Sequence, residues 1–122
     1  MPKILVIDDS LFARLNICDI LKGAGYETVE AENGNEGVKK VIDEKPDCAL
    51  TDLLMPEMDG IAFLKALREK GLNLPVIVLS ADIQETKRKQ CMELGSAGFI
   101  SKPPQKDEIL EMVARILSHK GA

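Results

Sequence analysis

Five short apolar runs punctuate the chain, and the stretches between them repeat apolar residues every three or four positions. KILVI at 3–7 is the first run; Leu11, Leu15, Ile17, Cys18 and Leu21 then suit a helix over 11–22. ETVEA at 27–31 reads as a weaker, more exposed strand, and Val38, Val41 and Ile42 line one face of a helix over 35–45. CALT at 48–51 precedes a long loop and a helix bearing Ile61, Leu64 and Leu67. PVIVLS at 75–80 is rich in β-branched residues and predicts a central strand. A polar helix over 83–94 leads to GFIS at 98–101. The last helix carries Ile109, Met112, Val113, Ile116 and Leu117 at i, i+3, i+4, i+7 and i+8.

Strands alternating with helices predict an α/β fold, a five-stranded parallel sheet with helices on both faces. Runs such as ILVI and VIVL, apolar at every position, are what strands covered on both faces require. Turn residues fall between the elements: Gly23 and Gly25, Asn33-Gly34, Lys45-Pro46, Gly71 and Gly95. With 122 residues and no linker-like stretch, positions 1–122 read as one domain. Open sheets of this kind bind ligands beyond the carboxyl ends of their strands, so chemistry is expected just after each apolar run.

Those positions hold Asp8 and Asp9 after the first run, Asp52 after the third, Ser80 ending the fourth and Lys102 after the fifth. Alone, Asp8-Asp9-Ser10 reads as a helix cap, since Asp and Ser accept hydrogen bonds from free amides at a helix start. Together, three carboxylates and one amine leave excess negative charge at one rim, which favours a cation. Mg²⁺ takes oxygen ligands, commonly one or two carboxylates completed by water and phosphate. A carboxylate nucleophile, a cation and an ammonium together suit phosphoryl transfer.

Composition removes several other classes. A net charge of −4 argues against nucleic acid or an anionic membrane as the main partner, and Lys87-Arg88-Lys89 reads as a solvated helix face. Cys18, Cys48 and Cys91 are odd in number and widely spaced, as expected of reduced, buried thiols rather than disulfides or zinc ligands, and His119 has no cysteine near it. No stretch has the length of a membrane span or a secretory leader, so a soluble, cytoplasmic protein is expected.

The segment Asp52-Leu53-Leu54-Met55-Pro56-Glu57-Met58-Asp59-Gly60 resembles the DxxMPxMDG motif of response-regulator receiver domains. Asp8-Asp9, Ser80-Ala81 and Lys102-Pro103 accompany it in that family's order, so the resemblance spans essentially the whole chain. It implies a flavodoxin-like, doubly wound sheet in the order 2-1-3-4-5. It makes Asp52 the acceptor of a phosphoryl group from a sensor histidine kinase. Asp9, Asp52 and the backbone carbonyl of Leu54 would ligate Mg²⁺, with Asp8 acting through bound water. Lys102 would pair with the phosphoryl group, Ser80 would follow it, and Phe99 would be the switch aromatic. The resemblance further implies self-catalysed phosphorylation and dephosphorylation at Asp52, a cis Lys102-Pro103 bond, and a downstream protein target on the face of helix 4, strand 5 and helix 5.

Some positions depart from common family patterns. Phe99 stands where many members have Tyr, and Pro104 replaces a Phe-like residue. Leu54 cannot orient an attacking water with its side chain; Asp82 either does so or meets an auxiliary phosphatase. Phe99 read without the family is simply a core residue. Helix 4, with its polar run Gln84–Gln90, is expected to be the least firmly docked helix. A haloacid-dehalogenase-type phosphatase would need an acid two residues after its nucleophile, where Leu54 stands. An FMN-binding flavodoxin would need a Ser/Thr/Gly-rich phosphate loop where Asp8-Asp9 stand. Met1 and the lack of a C-terminal linker favour a stand-alone chemotaxis-type regulator over a receiver cut from a transcription factor or hybrid kinase.

Overall fold

The computed structural model describes residues 1–55, 58–81 and 85–120, with side chains through 118. Among these run the strands β1 (Lys3–Ile7), β2 (Glu27–Ala31), β3 (Cys48–Asp52), β4 (Val76–Ser80) and β5 (Gly98–Ser101). They alternate with the helices α1 (Leu11–Gly23), α2 (Gly34–Glu44), α3 (Gly60–Glu69), α4 (Glu85–Glu93) and α5 (Lys106–Lys120). Every neighbouring pair of strands is parallel, in the order β2-β1-β3-β4-β5. The sheet is therefore the doubly wound one expected, with its strand order reversing between β1 and β3.

Side chains alternate across the sheet and divide the core into two layers. Leu5, Ile7, Ala49, Val76 and Val78 face α2, α3 and α4, where Val41, Phe63, Leu67 and Cys91 cover them. Ile4, Val6, Cys48, Leu50, Ile77, Leu79 and Ile100 face α1 and α5, under Ile17, Leu21, Ile109 and Val113. Each fully buried aliphatic or aromatic side chain contributes about 1.5–3 kcal/mol. The three cysteines are buried thiols outside any disulfide, as expected, and burial raises those of Cys18 and Cys91 above the ordinary range. Among the described residues, no helix is long and apolar enough to cross a membrane.

Several expectations change in detail. β3 extends through Asp52 and β4 begins after Pro75, whose carbonyl accepts from the Ala49 amide at 3.0 Å. Asn33 caps α2 through its side chain, and Gly34 begins that helix rather than completing a turn. Ile42 is 50% exposed, because the buried arc of α2 is centred on Gly34, Gly37, Val38 and Val41. At Gly37 a Cβ would lie 2.6 Å from Ile7 Cδ1, so the helix approaches the sheet along its glycines and turns Ile42 outward. Leu11 and Leu15 are likewise exposed, the buried face of α1 being Arg14, Ile17, Cys18 and Leu21.

Candidate functional site

Strand register assembles the rim. Ile7 pairs with Thr51, so one step further along the chain Asp8 and Asp52 leave β1 and β3 side by side. Ser80 pairs with Ser101, and the Lys102 amide donates to the Ser80 carbonyl at 2.9 Å, which brings β5's end to the same rim. The Lys102-Pro103 bond is cis, as expected. Alternation also sorts the side chains. Asp8, Asp52 and Lys102 share the parity of the α1/α5 layer, whereas Ser80 and Phe99 share that of α2, α3 and α4.

Asp8 is buried and held on every side. Its amide donates to the Ala31 carbonyl at 3.1 Å. One carboxylate oxygen accepts from the Ser10 amide at 2.9 Å, and the other from Lys102 Nζ at 3.2 Å. The helix-cap reading thus falls to Ser10, whose Oγ accepts from the Ala13 amide, while Asp8 turns toward the rim. Lys102 Nζ also lies 3.4 Å from Asp52 Oδ2, so one ammonium bridges two carboxylates. Asp9 is exposed, and carboxylate oxygens of Asp8, Asp9 and Asp52 lie within 4.8 Å of one another.

The charges are unbalanced. Burial raises the Asp52 carboxyl above its usual range; Asp8 and Asp9 add to the rise, and Lys102 only partly opposes it. For Lys102, burial disfavours the ammonium, yet Asp52 and Asp8 outweigh it and the amine rises above its ordinary value. Three carboxylates facing one ammonium fit a hard divalent cation that takes oxygen ligands.

α3 supports this rim from below. Asp59 caps the helix, accepting from the Ala62 amide at 2.8 Å, and the Gly60 amide donates to the Leu53 carbonyl at 2.9 Å. A Cβ on Gly60 would lie 2.8 Å from the Asp52 carbonyl oxygen, so the Asp-Gly pair lets α3 begin directly against the end of β3. Leu54 is half exposed. Phe99 is partly buried against the α2–α4 layer, with the Arg88 guanidinium 5.6 Å from its ring centroid. Asp82, and Pro56 and Glu57 of the DxxMPxMDG motif, lie outside the described residues.

Sequence reasoning missed Arg14. It is buried in α1, its Nη1 donating to the Asp8 carbonyl and its Nε to Glu30 Oε1, both at 2.8 Å. The spacing 14, 17, 18, 21 would have placed it on the inward face, but a positive charge invites a surface reading.

The model of the response regulator receiver domain matches residues 4–114. The chemotaxis protein CheY of Bacillus subtilis is 39% identical over 117 residues, covering 95% of this chain and 98% of that protein. A protein-glutamate methylesterase/protein-glutamine glutaminase of Archaeoglobus fulgidus is 40% identical over 121 residues, covering 97% of this chain and 34% of that protein. Among solved structures, the receiver domain of a Francisella response regulator superposes with a TM-score of 0.93 at 31% identity, covering 98% of this chain and 99% of that one. The neighbouring carboxylates of β1 and β3, the bridging lysine after β5 and these matches agree: the chain belongs to the response regulator receiver domain family.

Proposed function

We propose that Asp52 is the phosphoacceptor of this receiver domain, taking its phosphoryl group from a histidine kinase. The observation that carries this is the position of Asp52, a mostly buried carboxylate at the end of β3, beside Lys102 and the Asp8-Asp9 pair. One Asp52 oxygen forms the new bond to phosphorus as the donor's phosphorus–nitrogen bond breaks. Lys102, already between Asp8 and Asp52, holds a phosphoryl oxygen in place of its carboxylate contact. Asp9, Asp52 and the Leu54 carbonyl would hold Mg²⁺, and Asp8 would act through bound water. When bound, Mg²⁺ offsets charge on the transferring oxygens. Dephosphorylation at Asp52 is self-catalysed by the same site: water attacks phosphorus, the bond to the Asp52 oxygen breaks, and the carboxylate and inorganic phosphate are released.

The donor must cover this rim to reach Asp52. Leu11, Phe12 and Leu15 expose apolar surface on α1, and a groove of about 460 Å³ runs from Phe12 and Ile17 to Pro103 and Pro104 beside Lys102. Apolar surface reaching Lys102, which contacts Asp52, suits docking of the kinase's phosphohistidine-bearing domain. The output surface is the face of α4, β5 and α5, where Phe99 is the switch. Asp82, outside the described residues, is the candidate contact for an auxiliary phosphatase. The near-full-length match to CheY supports a stand-alone, cytoplasmic, chemotaxis-type regulator in which residues 1–122 act as one unit. The second reading, a receiver unit within a longer protein, is favoured by the match to one third of the archaeal methylesterase.

Incubation with a small phosphodonor and Mg²⁺ tests the central assignment. The wild type should gain acid-labile phosphate and Asp52→Asn should not. Equal labelling of the two would overturn it.

A further inference from the structure

Arg14 is 7% exposed, and its guanidinium sits where an apolar residue would satisfy the packing of α1. Removing such a charge from water is expensive, by several kcal/mol in general, unless its donors find good acceptors. Here Nη1 meets the Asp8 carbonyl and Nε meets Glu30 of β2. The Asp8 carbonyl belongs to the peptide unit that joins Asp8 to Asp9. That unit is planar, so fixing its carbonyl fixes the direction in which the Asp9 backbone leaves it. Asp9 is exposed, in contrast to the tethered Asp8.

We infer that Arg14, braced by Glu30, is a positioning residue that orients the Asp8–Asp9 peptide so that the Asp9 carboxylate faces Asp52 across the cation site. This rests on the reading of Asp8, Asp9 and Asp52 as that site. The sign of its effect separates it from simple electrostatics. A positive charge near a cation site repels the cation, so deleting Arg14 for charge reasons alone would tighten binding. Deleting a brace loosens it.

Isothermal titration of the full chain with Mg²⁺ decides between them. Arg14→Met should weaken Mg²⁺ binding about tenfold or more, the scale found when partners behind metal ligands are removed. Asp9→Asn should weaken it too, and adding Arg14→Met to Asp9→Asn should change affinity little further, since the brace acts through Asp9. Arg14→Lys keeps the positive charge and loses the fork that spans the Asp8 carbonyl and Glu30. It should weaken Mg²⁺ by about two- to fivefold, and it decides the matter if Arg14→Met does not fold. Unchanged or tighter Mg²⁺ binding in folded Arg14→Met, or in Arg14→Lys where that variant decides, overturns the inference, as does a full additional loss in the double variant. A lowered melting temperature with unchanged affinity would mark Arg14 as structural only. If the wild type itself gives no Mg²⁺ binding, the site reading fails first and this inference falls with it.

Discussion

Gly60→Ala isolates the contact between α3 and the end of β3 that carries Asp52. The added Cβ would stand 2.8 Å from the Asp52 carbonyl oxygen and 3.0 Å from Leu53 Cα, both backbone atoms that cannot rotate aside. An ordinary carbon–oxygen contact is about 3.3–3.6 Å, so the start of α3 must retreat by roughly 0.5 Å. That retreat stretches the Gly60 to Leu53 hydrogen bond, now 2.9 Å, to the edge of a useful length. Overpacking of this kind costs about 1–3 kcal/mol, and alanine's better helix propensity returns at most about 1 kcal/mol. A net loss of about 1–2 kcal/mol in urea denaturation is expected, with the slope unchanged. Because the crowded oxygen is the Asp52 carbonyl, part of the strain passes to Asp52, and under the proposed function phosphorylation by a small donor should also slow, by about tenfold; displacements near 1 Å cost about a hundredfold. Gly23→Ala is the control. No atom lies within 4 Å of its Cβ, so it should be neutral or stabilising by up to about 1 kcal/mol. If Gly60→Ala matches the wild type in both stability and labelling, the close approach of α3 does not position Asp52.

Three further outcomes follow from the charges and the aromatic contact. Asp52 is raised in the folded protein, so above that raised value the native state must ionise a carboxyl that prefers its proton, and wild-type folding is penalised. The penalty disappears as pH falls through the folded value toward about 3.9, so in chelator Asp52→Asn should be the more stable protein at pH 7 and lose that advantage near pH 4; thermal melts giving a pH-independent difference would contradict this. Lys102→Met leaves the buried Asp8 carboxylate without its ammonium and should lower stability by about 2–3 kcal/mol in chelator, with Mg²⁺ restoring much of the loss in thermal melts. No difference between chelator and Mg²⁺ would count against a cation site there. Arg88→Ala should shift the Phe99 signal in fluorine NMR of fluorophenylalanine-labelled protein, which has only three Phe residues, and cost about 0.5–1 kcal/mol. Amide exchange in α4, whose one buried residue is Cys91, should exceed that in α5 in the parent and rise further in the variant.

The sheet was legible in the sequence because β1, β3 and β4 carry unbroken apolar runs over 4–7, 48–50 and 76–79, a pattern that doubly covered strands need. Asp8, Asp52, Ser80 and Lys102 were legible because strand ends in such a sheet must meet at one rim. What escaped was anything that depends on where a helix sits over the sheet. Hydrophobic period placed Ile42 inward, yet the glycines of α2 make the closest approach and carry no hydropathy signal. Arg14 escaped for the opposite reason, because its buried phase was outvoted by its charge. Both errors come from treating side-chain chemistry as a proxy for distance from the sheet.

Under the proposed function, alternation along the strands lets one rim both react and signal. The rim charges, Asp8, Asp52 and Lys102, belong by parity to the α1/α5 side, while Ser80 and Phe99 belong to the side of α4. A mechanical route from Asp52 to Phe99 would then run around the strand ends. Two backbone hydrogen bonds make that route short: Leu53 donates to the Leu79 carbonyl at 2.8 Å, and Lys102 donates to the Ser80 carbonyl at 2.9 Å. Ser80 thus stands between β3 and β5, bonded through its backbone to the residue that contacts Asp52. Under the proposed function, movement of Lys102 toward a phosphoryl group would pull on the end of β4, and β4 pairs Val78 with Phe99 on the same face. Over that face lies α4, the helix with the least buried apolar surface to resist displacement.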